Sequence, residues 1–146
     1  MNIFEALRES HDRQRELVDL VVATSGDSPE RRDRFVELKR ELEAHALAEE
    51  RHFYVHLIER EGGVDLSRHA IAEHHEIDVL IAKVTDTDYD SPAWLVHAKS
   101  LGEKIRHHLQ EEEQKFFQMA GKVLDDSQKI SLAEAYRDTY REARRD

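Results

Sequence analysis

Apolar residues recur at intervals of three and four over long stretches of this chain, and the rhythm breaks at only a few places. Both prolines follow a serine, Ser28-Pro29 and Ser91-Pro92, the arrangement in which serine caps a helix and proline fills its first turn. Gly62-Gly63 ends a periodic stretch, after which Asp65 or Ser67 is placed to cap the next, and a further break falls at Asp125-Asp126-Ser127. The segments between these marks cover 2–24, 29–61, 66–86, 92–124 and 127–144. None alternates as a strand does. With 5 Gly among 146 residues and many strong helix formers, the expected class is all-α. Four long helices on short connections run antiparallel to their sequence neighbours. The expected architecture is therefore an up-down-up-down four-helix bundle over 1–124, with 127–146 as an appended C-terminal helix packing on or extending from it.

Composition narrows the functions open to such a bundle. Lys and Arg number 22 against 32 Asp and Glu, a net charge of −10, and no run of basic residues offers a footprint for nucleic acid or an anionic membrane. Charges from Glu5 to Asp19 exclude a secretory or membrane-spanning segment at the N-terminus, so a cytoplasmic location is expected. There is no Cys, which removes disulfides, thiolate metal sites and cysteine nucleophiles. Any metal must be held by histidine and carboxylate, and the chain carries 10 histidines.

Helical periodicity places several of these histidines where a bundle would put leucine. The first stripe is Phe4, Leu7, His11, Val18 and Val21; the second runs Phe35, Leu38, Leu42, His45, Glu49, His52 and His56. The fourth is Trp94, His97, Leu101, Ile105, His108, Glu112, Phe116, Met119 and Val123, which leaves His107 on the solvated face. In the third helix, periodicity favours His74 only slightly over His75. Two stripes thus contain His-x-x-x-Glu, as His45/Glu49 and His108/Glu112, a spacing that puts both side chains on one face. The second and fourth helices are expected to be parallel, so both glutamates approach one level of the bundle and can bridge a pair of ions.

A lone histidine on an apolar face is usually a hydrogen-bonded core residue, and a lone His-x-x-x-Glu is usually a solvated pair. Four stripe imidazoles with two stripe carboxylates are different, because unpaired buried carboxylates cost several kcal/mol and a metal removes that cost. Imidazole and carboxylate without sulfur suit iron, manganese or zinc.

These motifs resemble the hemerythrin-like, HHE cation-binding family over residues 1–124: Ser10-His11-Asp12, Glu43-Ala44-His45 with Glu49-Glu50, Glu73-His74-His75-Glu76-Ile77, and His107-His108 with Glu111-Glu112-Glu113 and Phe116. The resemblance implies two non-haem iron ions, bridged by carboxylates and an oxo or hydroxo group, with zinc or manganese as alternatives. It implies that His11 and His45 ligate one ion, that His74 (rather than His75) and His108 ligate the other, and that Glu49 and Glu112 bridge. It also implies an open position for dioxygen, peroxide or nitric oxide. Two departures point away from the oxygen carriers. Where those have a fifth histidine this chain has Asp78, and their last motif has aspartate five residues after histidine where this chain has Glu112 at four. Asp78 and His52 are therefore candidates for an additional ligand or a supporting partner of one. Tyr54 is read as a packing aromatic, and His69 and His97 as ordinary. The expected function is binding or sensing iron, dioxygen, peroxide or nitric oxide. The alternatives are a catalase-like or peroxide-consuming enzyme of oxidative or nitrosative stress defence and a metal-dependent interaction module; no protein partner is legible.

Overall fold

In the computed structural model, which describes residues 1–60 and 62–145, the chain is all-helical. Helix α1 spans Ile3–Val22; α2 spans Pro29–Glu49, passes through a π turn at Glu50–Tyr54 and ends over Val55–Ile58. Helix α3 spans Gly63–Thr85; α4 spans Pro92–Glu111, passes through a second π turn at Glu112–Phe116 and ends over Phe117–Val123; α5 spans Asp126–Ala143. The start signals act as their chemistry dictates. Ser28 Oγ accepts from Arg31 N at 3.1 Å and Ser91 Oγ from Ala93 N at 3.2 Å, while Asn2 with Glu5 and Asp125 with Gln128 form reciprocal capping boxes.

The start of α3 differs from the expected cap at Asp65 or Ser67. Gly62 itself precedes the helix with φ at 82°, a left-handed conformation that glycine adopts without steric cost, and α3 begins at Gly63. A side chain at Gly63 would put its Cβ 1.8 Å from the Leu57 carbonyl oxygen, so this close crossing of α2 and α3 requires glycine.

Buried apolar residues form two groups. One contains Ile3, Leu7, Phe53, Leu57, Phe116, Phe117 and Leu132; the other contains Leu17, Val21, Phe35, Leu38, Trp94, Leu101 and Ile105. Along each of the first four helices the two groups are separated by a buried polar belt: Ser10, His11 and Gln14 in α1, Glu41, His45 and Glu49 in α2, Glu73 and His74 in α3, and His108 and Glu112 in α4. The order of the groups reverses from each helix to the next. Helix α5 packs against α1 and α2 and buries Leu132, Ala133 and Tyr136. Among the described residues no helix is long and apolar enough to cross a membrane.

The π turns reset the stripes. Each inserts one residue into a helix at a buried glutamate, the first just after Glu49 and the second from Glu112 onward, which rotates everything beyond it by about 100°. After Glu49 the inward positions fall to Phe53, Tyr54 and Leu57, not to His52 and His56; after Glu112 they fall to Phe116, Phe117, Ala120 and Leu124, not to Met119 and Val123.

Candidate metal centre

The belt brings His11, His45, His74, His108, Glu49 and Glu112 into one enclosed place, with none of the six more than 8% exposed. His11 and His45 face each other with ring centroids 5.1 Å apart, and His74 and His108 with centroids 4.8 Å apart. Glu49 reaches both pairs: its Oε1 lies 3.3 Å from His45 Nε2 and 3.2 Å from His74 Nε2, and its Oε2 lies 4.0 Å from His11 Nε2. Glu112 does the same from the opposite helix, with Oε1 at 3.1 Å from His11 Nε2 and Oε2 at 3.6 Å from His108 Nε2.

In each ring the inward atom is Nε2, because Nδ1 is held from outside. His11 Nδ1 lies 2.8 Å from Glu113 Oε2, His45 Nδ1 2.7 Å from the Tyr136 hydroxyl, His74 Nδ1 3.0 Å from Glu50 Oε1 and His108 Nδ1 3.1 Å from Glu73 Oε1. A ring that donates its Nδ1 proton outward presents a lone pair at Nε2. His11 Nε2, His45 Nε2, Glu49 Oε2 and Glu112 Oε1 are buried and make no hydrogen bond, although His11 Nε2 and Glu112 Oε1 are close. His74 Nε2 and His108 Nε2 point at each other across 3.1 Å. Lone pairs converging on one buried volume repel unless a cation or a proton lies between them, and buried polar atoms are ordinarily satisfied. The donor set fits metal ions. Two groups of donors have atoms within 4.8 Å of one another, His11/His45/Glu49/Glu112 and Glu49/His74/His108, and Glu49 belongs to both.

Several partners were not visible in the sequence. The Tyr54 ring is fully buried, and its hydroxyl donates to Glu49 Oε1 at 2.7 Å and also contacts Glu112 Oε2, so it is part of the centre and not a wet packing aromatic. Tyr136 reaches His45 from α5. Phe117 stacks on His11 at 5.9 Å, and next to His74 on α3 it is Ala70 that is buried while Ile71 is exposed. The two further candidates lie elsewhere. The His52 ring is turned to Thr139, with Nε2 at 2.6 Å from its Oγ1, and Asp78 is exposed at the edge of a ≈ 20 Å³ cavity beside His45, His74 and His108. His69, read as ordinary, sits 3.4 Å from Glu73, the partner of His108.

Protons take the place of cations when the metal is absent. Burial pushes the His11 ring down, but Glu112 and Glu113 outweigh it and raise the pKa to about 9; for His74, Glu49 and Glu50 outweigh burial and raise it to about 10. Burial followed by the Glu49 charge pushes Glu112 up, while Glu49 is drawn down against its burial by His45. Burial and the two carboxylates push the Tyr54 hydroxyl well above its ordinary range. In the metal-free chain at neutral pH both His11 and His74 are thus imidazolium cations, carrying a proton on each ring nitrogen. Because these pKa values are raised, the stability they contribute is fully present below the ordinary imidazole value of 6.5 and is lost as pH rises through about 9 to about 10. Metal requires the same nitrogens unprotonated, so metal uptake at pH 7 releases protons and affinity rises with pH. A pH-indicator assay in weak buffer should show about two protons released per chain on loading; loading without acidification would contradict these states.

The sequence model of the hemerythrin HHE cation binding domain matches residues 2–120. A search of curated proteins finds no match. Among solved structures, the crystal structure of a hemerythrin HHE cation binding domain-containing protein from Mycobacterium kansasii shares the fold with a TM-score of 0.90 and 24% identity, covering 99% of this chain and 88% of that one. The buried ring of imidazoles and carboxylates is a donor set that could hold cations, and the chain belongs to the hemerythrin HHE cation binding domain family.

Proposed function

We propose that this chain holds two iron ions and uses them to bind or sense a small ligand, namely dioxygen, peroxide or nitric oxide. One observation carries the reading: four imidazoles whose Nδ1 atoms are all tied outward turn their Nε2 atoms, with two carboxylates, onto a single buried volume. His11 and His45 hold one ion, His74 and His108 the other, and Glu49 and Glu112 span both. Zinc and manganese suit the same donors; iron supplies one-electron chemistry and an open coordination position for a diatomic or peroxide ligand. The bundle of 1–124 is read as up-down-up-down, which the reversing order of the two apolar groups supports, and 127–146 is read as an appended helix that contributes Tyr136.

The chain's own residues do the rest. Glu113, Tyr136, Glu50 and Glu73 fix the ring orientations, and outer partners of this kind tune ligand basicity. Phe53, Phe116, Phe117 and Ile105 keep bulk water from the centre. Tyr54 holds a proton at its hydroxyl against both shared carboxylates, where it can hydrogen-bond a bound ligand. Iron-loaded, reduced protein is expected to change its absorption spectrum on addition of nitric oxide or peroxide, and His108→Ala is expected to lose that change. A spectrum indifferent to both ligands would overturn the reading.

The Tyr54 proton favours one second reading, a catalase-like peroxide-consuming activity in which one peroxide molecule supplies the two electrons that reduce another, giving dioxygen and water, because breaking the O–O bond needs a proton delivered to a peroxide oxygen. Steady peroxide loss that falls in Tyr54→Phe while iron content holds would favour turnover over retention of the ligand.

A further inference from the structure

The geometry points to a third cation site on the surface beside the buried centre, where His69, Glu73 and Glu111 take a divalent transition-metal ion with His107 within reach as a fourth donor. Helix α3 carries His69 and Glu73 four residues apart, and α4 carries His107 and Glu111 at the same spacing, so each helix presents an imidazole and a carboxylate on adjoining turns. The helices bring them together. His69 Nε2 lies 2.8 Å from Glu111 Oε1 and 3.4 Å from Glu73 Oε1, and His107 Nε2 lies 3.2 Å from Glu111 Oε2. Donors about 2.1 Å from one ion stand roughly 3 to 3.5 Å apart, so movements of a few tenths of an ångström close the three around a cation. Their ligand atoms already lie within 4.8 Å of one another.

The site is graded from solvent inward. The His69 and His107 side chains are 53% and 65% exposed, that of Glu111 is 19% and that of Glu73 is 6%. Two carboxylates and neutral imidazoles balance a dication without leftover charge. Two lysines stand nearby: Lys104 Nζ lies 3.1 Å from Glu73 Oε2 and leaves Oε1 to face His69, and Lys115, 3.9 Å from the Glu111 Oε1 that faces His69, is 64% exposed and must move aside for an ion.

Two connections lead from this cluster to the buried centre. Glu73 Oε1 faces both His69 and, at 3.1 Å, His108 Nδ1, and a carboxylate oxygen has lone pairs for both. A cavity of ≈ 10 Å³, about the size of one water, has His69, Glu73 and Glu111 together with His108, Glu112 and Phe116 in its lining. An ion held at His69 therefore stands one shared carboxylate and one water-sized space from His108 and Glu112, which places the outer site where it can hand ions to the centre. The cation site stands on its own residues; the loading role rests on the di-iron reading.

The test uses Co²⁺ as the probe, because its visible bands report imidazole and carboxylate ligation. Protein whose buried centre is filled with iron is expected to bind one further Co²⁺ per chain, and the double variant His69→Ala/Glu111→Gln is expected to bind it at least tenfold more weakly while retaining wild-type iron. No added Co²⁺, or equal affinity in the variant, would overturn the site. The double variant is also expected to take up Fe²⁺ several-fold more slowly to the same final content; an unchanged rate would overturn the loading role. Wild-type protein that takes up no iron would refute the buried centre and not the outer site, which the same Co²⁺ titration of the metal-free chain and its variant then reads directly.

Discussion

Glu49→Gln protein is expected to keep at most one metal ion per chain through dialysis against a chelator that leaves the wild type loaded. The substitution preserves shape and removes a carboxylate that belongs to both donor sets. Glu49 Oε1 lies 3.3 Å from His45 Nε2 and 3.2 Å from His74 Nε2, so one oxygen sits between the two histidine pairs. Glutamine there takes away a full negative charge and turns an amide donor toward nitrogens that need a cation. Loss of an outer partner such as Glu73 or Glu113 costs about 10–100-fold in affinity. Loss of a shared ligand exceeds that, so we expect a fall of more than about 100-fold for Glu49→Gln and a fall within the smaller range for Glu73→Gln, with full occupancy recovered at high metal. Metal analysis by mass spectrometry checks both. Equal retention by the wild type and Glu49→Gln would contradict the placement of Glu49 between two ions.

Metal removal is expected to lower the melting temperature by about 10 °C or more while leaving the far-ultraviolet circular dichroism helical. A ligand present at 1,000 times its Kd stabilises by about 4 kcal/mol, and for a domain of this size each kcal/mol moves Tm by about 3 °C. The helices survive because the apolar groups on either side of the polar belt contain no donor; Trp94, Leu101 and Phe35 pack on one side and Phe53, Leu57 and Phe116 on the other without reference to metal. What metal removal exposes is the belt, where His74 Nε2 faces His108 Nε2 and protons must replace cations. Loss of helicity on chelation would contradict this account and favour a module that folds only around its ion.

Five of the six buried donors were legible in the sequence because three imidazoles and two glutamates fall where helical periodicity demands apolar residues, while the choice of His74 over His75 came from the family resemblance. The stripes failed beyond Glu49 and Glu112, where a π turn adds one residue to the helix; nothing in Glu50-Arg51-His52-Phe53-Tyr54 announces it locally. That one-residue shift explains why His52 meets Thr139 on α5 and why Tyr54 arrives at the centre. Since Glu49 lies just before the first π turn and Glu112 opens the second, the distortion and the shared carboxylates go together, as π turns often do with functional sites. The outer partners were hidden for another reason. Glu50 and Glu113 each follow a belt glutamate and look like ordinary solvated carboxylates, Glu73 sits on the face of α3 toward α4, and Tyr136 belongs to a helix with only a modest stripe. Which of them meets a ring nitrogen depends on how helices pack, and that is a tertiary fact. The same holds for His69, whose pairing with Glu73 four residues on looks like an ordinary solvated pair and which meets Glu111 only across two helices.

The claim that two ions sit between Glu49 and Glu112 is tested most directly by anomalous diffraction at the iron edge from crystals of iron-loaded protein. The account predicts two buried peaks, one beside His11 and His45 and one beside His74 and His108, with both carboxylates reaching each. A single buried peak, or none, would contradict it.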